Sequence, residues 1–165
     1  MIYLIGTCHK TQVWNDLVRE QPLGVVPLAK IEAFQQFVTE AATDLGAATI
    51  GEEMNEERIL THGHNAITVA QPVARQLHIA HVSCEPDESE RKALGLRVGD
   101  EMVQHANAIA ARTAGDWIQV QEEEVRKQFP KREAFWTGRL ARYNTEATSV
   151  VFICGPSIVQ PSRKP

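Results

Sequence analysis

The chain has 165 residues and a formal net charge of −4, from 17 Lys and Arg and 21 Asp and Glu. This length favours one domain, and the mildly acidic balance gives no reason to expect nucleic acid as a partner. Three cysteines do not make a disulfide framework, and no signal peptide or bilayer-spanning apolar run is visible. We therefore expect a soluble cytoplasmic protein with no membrane partner, a single α/β domain over residues 1–159 and a frayed tail over residues 160–165.

Short apolar runs ending near glycine alternate with helical patterns in the first half of the chain. Residues 2–5, 47–50 and 79–83 have the composition of buried strands. A helix is predicted between the first two strands and another over about residues 72–77. The first helix presents one apolar face, made of Leu28, Ile31, Phe34, Val38, Ala41, Ala42 and Leu45.

The second half is predicted to be helical up to a last strand, with elements over residues 87–94, 100–129, 131–143 and 149–154. Gly115 and Asp116 break the long helical region, with Asp116 as a cap, and Pro130 ends it. One helical face contains Met102, Ala106, Ile109, Thr113 and Trp117. The element order predicts a mostly parallel, or mixed, sheet of about four strands with flanking helices.

Ligands of open parallel sheets bind beyond the carboxyl ends of the strands. His9 follows the first predicted strand, Glu52 and Glu53 follow the second, and Asp87 follows the third. An imidazole and several carboxylates in one cleft can bind a divalent metal or activate water by general-base catalysis. The alternative is an ordinary polar loop after each strand, with the acidic residues in a solvated first helical turn.

The stretch Ile-Tyr-Leu-Ile-Gly-Thr-Cys-His over residues 2–9 resembles the opening of the TraB/Tiki superfamily, which includes haem-binding ChaN-like and erythromycin-esterase-like proteins. Members begin with a strand followed by a Gly-x-x-His motif. Their second strand ends in glutamate, as Thr-Ile-Gly-Glu-Glu does at residues 49–53, and their third leads into an acidic stretch containing arginine. The resemblance covers most of the chain in order, although its sharp motifs are short.

The resemblance implies a hydrolase that acts on a small molecule or a peptide. His9 would be the base or a metal ligand, and Glu52 or Glu53 a ligand or a water-orienting carboxylate, with Glu52 favoured. A Mn, Co or Zn ion would be held by His9, Glu52, Glu53 and Asp87. Family members often carry a second Gly-x-x-His after the last strand, whereas this chain has Ile158 at that position. The alternative is therefore an inactive relative that binds a small molecule or a protein in the same cleft.

Other patterns leave further alternatives open. His62 and His64 form a His-x-His pair that either binds metal or lies in a surface loop. Each of the three cysteines, Cys8, Cys84 and Cys154, lies at or just after the end of a predicted strand. They either form a soft-metal or redox cluster or are small residues buried at the strand ends. The aromatic residues of the C-terminal helices belong to the core or to a homodimer contact.

Overall fold

The computed structural model describes residues 1–7, 13–14, 28–55 and 67–155. Its strands are β1 Ile2–Gly6, β2 Val13–Trp14, β3 Ala47–Glu52, β4 Ile67–Thr68, β5 Ala80–Ser83 and β6 Ser149–Cys154. Its helices are α1 Leu28–Asp44, α2 Ala70–Leu77, α3 Glu88–Leu94, α4 Gly99–Thr113 and α5 Trp117–Ala141. The chain divides into two compact units, the first comprising Met1–Glu85 and Gly138–Pro165, the second Pro86–Thr137.

A four-stranded, fully parallel sheet in the order β1-β6-β3-β5 forms the centre of the first unit. The α/β prediction is therefore confirmed, including the placement of the last strand after the helices. Strands β6 and β3 each have neighbours on both sides, in keeping with their almost uninterrupted apolar sequence. A separate antiparallel pair, β2 with β4, was not predicted from the sequence.

The two faces of this sheet are covered by different helices. On one face, side chains of α1 and α2 pack with Ile50 of β3 and with Val151 and Ile153 of β6. On the other, Gly51 faces Leu140 of α5 and Phe152 of β6. Connections between parallel strands are right-handed, so the direction in which the chain moves across the sheet decides which face its helices cover. The chain moves towards the β5 edge through β1-α1-β3 and β3-α2-β5, and it moves back towards β1 when it returns to β6. The helices of the return therefore cover the opposite face.

Helix α1 packs through the predicted face, with one exception. Ile31, Val38 and Ala42 are buried, and Phe34 and Leu45 are partly buried against the core. Leu28, at the first helical position, belongs to this apolar face but is 39% exposed. The helix ends at Gly46, which has a φ of +56° and supplies the left-handed conformation that closes a helix at low steric cost.

The second unit contains α3, α4 and most of α5. Met102, Ala106 and Ala110 form the buried face of α4, whereas Thr113 is exposed and Trp117 is 49% exposed. The last two were predicted to lie on one helical face with Met102 and Ala106, and they are not buried with them because α4 ends at Thr113 and α5 begins at Trp117. The predicted break between the helices is confirmed.

Asp116 caps α5 as predicted, since its Oδ1 accepts a hydrogen bond from the backbone N–H of Ile118 at 2.8 Å. The predicted end at Pro130 is wrong, because α5 continues through this residue to Ala141. Pro130 is solvent-exposed, so the backbone carbonyl that loses its helical hydrogen bond four residues earlier can be solvated instead. None of the helices in the described ranges combines the length and apolar character needed to cross a bilayer.

Candidate functional site

Glu52 is the last residue of β3 and is fully buried. The strand was predicted to stop at Ile50, but the ladder continues through Gly51 and pairs Glu52 with Ser83 of β5. Glu52 therefore lies on the same face of the sheet as Ile50, at the edge of the apolar core. A carboxylate in this position loses its hydration, and this costs free energy that its hydrogen bonds must offset.

Two side chains contact the same oxygen of this carboxylate. Oγ1 of Thr68 donates a hydrogen bond to Oε1 of Glu52 at 2.7 Å, and Nε2 of His81 lies 2.5 Å from Oε1. Thr68 ends β4 and is itself fully buried. His81 lies on β5 opposite Ile50, one strand away from Glu52. Two short strands, β4 and β5, thus fix the orientation of Oε1.

The other oxygen of Glu52 is different. Oε2 is buried, and within the described ranges it has no hydrogen-bond partner. A buried ionised oxygen without a partner destabilises the folded state. A carboxylate retained for stability alone would be expected to use both oxygens, so this asymmetry distinguishes Glu52 as a candidate functional residue.

Glu53 lies in different surroundings. Its Oε2 accepts a hydrogen bond from the backbone N–H of Gly155 at 2.8 Å, and its own backbone N–H donates to the carbonyl of Ile153 at 2.8 Å. Adjacent residues of an extended chain point to opposite faces, and the two glutamates accordingly bind different partners. Glu53 joins the end of β3 to the end of β6.

A cavity of about 280 Å³ lies beside β5. Its wall includes residues of β5, the last turn of α5 and the chain that follows this helix. The lining residues are Asn55, His81, Val82, Ser83, Glu85, Arg139, Arg142 and Tyr143. The His81 side chain is 16% exposed while that of Glu52 is 1% exposed, so His81 is the member of the pair that a ligand can reach.

The two described cysteines are free and buried. Burial raises the pKa of the Cys84 thiol to about 12 and that of the Cys154 thiol to about 11. Both thiols are therefore protonated at neutral pH, and a protonated thiol is a poor nucleophile and metal ligand. These two residues do not have the properties of a redox or soft-metal site.

The residues predicted to form the site are only partly described. Glu52 and Glu53 lie at the carboxyl end of the sheet as expected, whereas His9 lies outside the described residues, as do Cys8, His62, His64 and Ile158. Asp87 belongs to the second unit and caps α3, because its Oδ1 accepts from the backbone N–H of Glu90 at 2.8 Å. Across the described ranges, no three His, Cys, Asp or Glu side chains are grouped to hold a metal ion.

Two residues of the site were missed by sequence reasoning. His81 lies inside the third predicted strand, residues 79–83, where a histidine is ordinarily structural, and Thr68 lies in a two-residue strand that has no recognisable pattern. The alternation of β5 does place His81 and Ser83 on one face. The sequence cannot show that this face lies beside Glu52, because it does not reveal which strands are neighbours.

A comparison of the chain with protein-family models, with curated proteins and with solved structures found no match. The similarity to the TraB/Tiki superfamily therefore stays a prediction.

Proposed function

We propose that this chain is a TraB/Tiki-like hydrolase in which Glu52 orients a histidine that activates water. The observation that carries the proposal is the 2.5 Å contact between Nε2 of His81 and Oε1 of Glu52 at the wall of a cavity. A histidine held by a buried carboxylate is a recurring arrangement for general-base catalysis. Glu52 lies at the carboxyl end of β3, and the carboxyl ends of parallel strands form the usual ligand-binding edge of such sheets.

The contact with Glu52 selects the tautomer of His81. A carboxylate accepts hydrogen bonds, so Nε2 carries the proton that faces Oε1 and Nδ1 keeps its lone pair. Nδ1 would take a proton from water as the water oxygen attacks the carbonyl carbon of an ester or amide. The bond to the leaving group then breaks, and the leaving alcohol or amine receives that proton from Nδ1. Glu52 stabilises the imidazolium that exists between these two transfers.

His9 has a place in the same proposal. It lies three residues beyond Gly6, and β1 and β3 are both hydrogen-bonded to β6. Two strands on either side of a third are about 9–10 Å apart, so a side chain after β1 can approach the end of β3. His9 would bind substrate or act as a second base. His9 is also the first of the metal ligands that the resemblance implies.

The described residues offer few donor atoms to a divalent metal. Oε2 of Glu52 is one oxygen donor without a partner there, but Oε1 and the Glu53 carboxylate are engaged by protein groups. These residues by themselves do not make a metal site, and no step above uses one. A Mn, Co or Zn ion would need His9 as a further ligand. Calorimetric titration with each ion tests this, and heat that disappears in His9→Ala would support it.

Turnover of a panel of esters and short peptides by the purified chain tests the hydrolase proposal. We expect hydrolysis by the wild type and a fall in kcat of about 100-fold or more for His81→Ala. Arg75→Gln, an exposed change on α2, is the matched control and should keep the wild-type rate. If the wild type hydrolyses nothing and binds no metal, the non-catalytic binding domain, which the Ile158 position favours, becomes the better account.

A further inference from the structure

We infer that the cavity beside β5 binds the anionic group of a small ligand, a carboxylate or a phosphate, through Arg139 and Arg142. The inference rests on the proposed function, since it names the substrate class of the same His81 site. It depends on four features of the cavity: the position of each guanidinium, the balance of charge on the lining, the volume, and the presence of His81 on the same lining.

Arg139 is already ordered at the cavity wall. Its Nη1 donates a hydrogen bond to the backbone carbonyl of Ser83 at 2.8 Å, and the side chain is half-buried. A guanidinium has five N–H donors in one rigid plane. Because Arg139 is fixed by the end of β5, a ligand that contacts it does not have to order a mobile side chain, and this reduces the entropic cost of binding.

Arg142 is held in a different way. Its guanidinium carbon lies 4.8 Å from the centroid of the Tyr143 ring, and stacking of this kind restrains the plane of the guanidinium. The N–H groups point outward in that plane and are not consumed by the ring. Within the described ranges, Arg142 forms no ion pair with a carboxylate. It is therefore an ordered cation whose charge is not neutralised by a carboxylate of those ranges.

The lining favours an anion over a cation. Its two guanidinium groups outnumber its one carboxylate, Glu85, while the charge of Glu52 lies behind His81. Planar guanidinium groups match the geometry of carboxylate and phosphate oxygens. The volume of about 280 Å³ lies near the lower limit of ligand pockets, so the part of the ligand that is bound is small. His81 lines the same cavity and would face the group that reacts.

Two esters of nearly equal shape test the inference. In 4-nitrophenyl hexanoate the acyl chain ends in a methyl group, whereas in 4-nitrophenyl hydrogen adipate it ends in a carboxylate, and the leaving group is the same. We expect a lower KM for the adipate ester. Arg142→Gln should raise that KM by about 5- to 20-fold, with a smaller effect on the KM of the hexanoate ester. Arg75→Gln, which removes the same charge from the same unit, should change neither KM.

A binding measurement that needs no turnover accompanies the kinetics. The Nε–H signals of Arg139 and Arg142 in NMR spectra should shift and saturate on addition of acetate or inorganic phosphate. The anion that saturates at lower concentration identifies the carboxylate or the phosphate class. Arg142→Lys keeps the charge but loses the planar donors, and it should bind the anion more weakly than the wild type.

The outcomes separate the two proposals. Saturable anion shifts without hydrolysis of either ester would leave the anion site standing and overturn the hydrolase. Hydrolysis of both esters with equal KM, unaffected by Arg142→Gln, would overturn the anion site and leave the hydrolase. Neither hydrolysis nor saturable shifts with either anion would overturn both.

Discussion

The Nε2 atom of His81 and the Oε1 atom of Glu52 lie 2.5 Å apart, and this contact joins two neighbouring parallel strands at the carboxyl end of the sheet. Thr68 contacts the same oxygen from outside the sheet. Three short strands of the first unit thus converge on one carboxylate oxygen. The site is assembled by the pairing of β3 with β5 and by the position of β4, not by residues close together in the sequence.

Replacing Thr68 by valine removes the hydroxyl donor while nearly keeping the shape of the side chain. Oε1 of Glu52 then loses one of its two partners in a buried environment, so Thr68→Val should lower the free energy of unfolding by about 1–3 kcal/mol. Urea denaturation measures this. Thr43→Val is the control, because the exposed Thr43 hydroxyl donates to the carbonyl of Thr39 in its own helix, and the change should be within about 0.5 kcal/mol. Equal effects of the two substitutions would show that Thr68 does not support Glu52.

Gly51 is required by close packing. An added Cβ would lie 2.8 Å from Cδ2 of Leu140 and 3.1 Å from Cδ2 of Phe152. Gly51→Ala should therefore lower the free energy of unfolding by about 1–3 kcal/mol. In a Leu140→Ala background the same substitution should cost less, since the clashing side chain has been shortened.

Gly138 provides the matched control for this prediction. It lies within α5, and a Cβ added there has no neighbour within 4 Å. Gly138→Ala should raise the free energy of unfolding by about 0.5–1 kcal/mol, because alanine has the higher helix propensity. A stabilising effect at Gly51 would contradict the packing described for this face of the sheet.

The raised pKa values of Cys84 and Cys154 predict a loss of stability at alkaline pH. A thiol whose pKa is higher in the folded state favours folding while both states are protonated. That contribution is complete below the usual pKa of about 9 and is lost as the pH rises towards about 11 for Cys154 and about 12 for Cys84. The free energy of unfolding should thus fall less between pH 9 and 11 in Cys154→Ala than in the wild type.

Alkylation gives an independent measure of the burial and protonation of these two thiols. Iodoacetamide at pH 7.5 should modify Cys84 and Cys154 slowly in the native protein and rapidly in denaturant, as followed by peptide mass spectrometry. Rapid modification of either thiol in the native protein would show that it is neither buried nor protonated as described.

The sequence predicts the sheet better than it predicts the site. Apolar runs near glycines located all four strands of the main sheet, because strands buried on two faces need apolar residues throughout. Glu52 was placed after β3, although hydrogen bonds to both neighbouring strands keep it inside the strand. Pro130 was taken as a helix end, although its local cost is tolerated at an exposed position of α5. Rules that use only neighbouring residues in the sequence therefore fail at Glu52, where strand pairing sets the end of the strand, and at Pro130, where solvent exposure lets the helix continue.

The hydrogen-bond partners of Glu52 also cannot be predicted from its neighbours in the sequence, because they are distant from it along the chain. Thr68 and His81 are 16 and 29 residues away in the sequence, and only the strand order brings His81 beside β3. The prediction of His9 follows from a motif, and this residue lies outside the described part of the chain. The homodimer through the C-terminal helices likewise stays a prediction.

The most direct test of the central claim is the hydrolysis of 4-nitrophenyl hydrogen adipate and 4-nitrophenyl hexanoate by the wild type and by Glu52→Gln. Glutamine keeps an oxygen for Thr68 and His81 but lacks the charge that stabilises a protonated imidazole. We predict that kcat falls by about 100-fold or more, with little change in KM and with a cooperative unfolding transition retained. Equal kcat values for the two proteins, or no hydrolysis of either ester by the wild type, would contradict the claim.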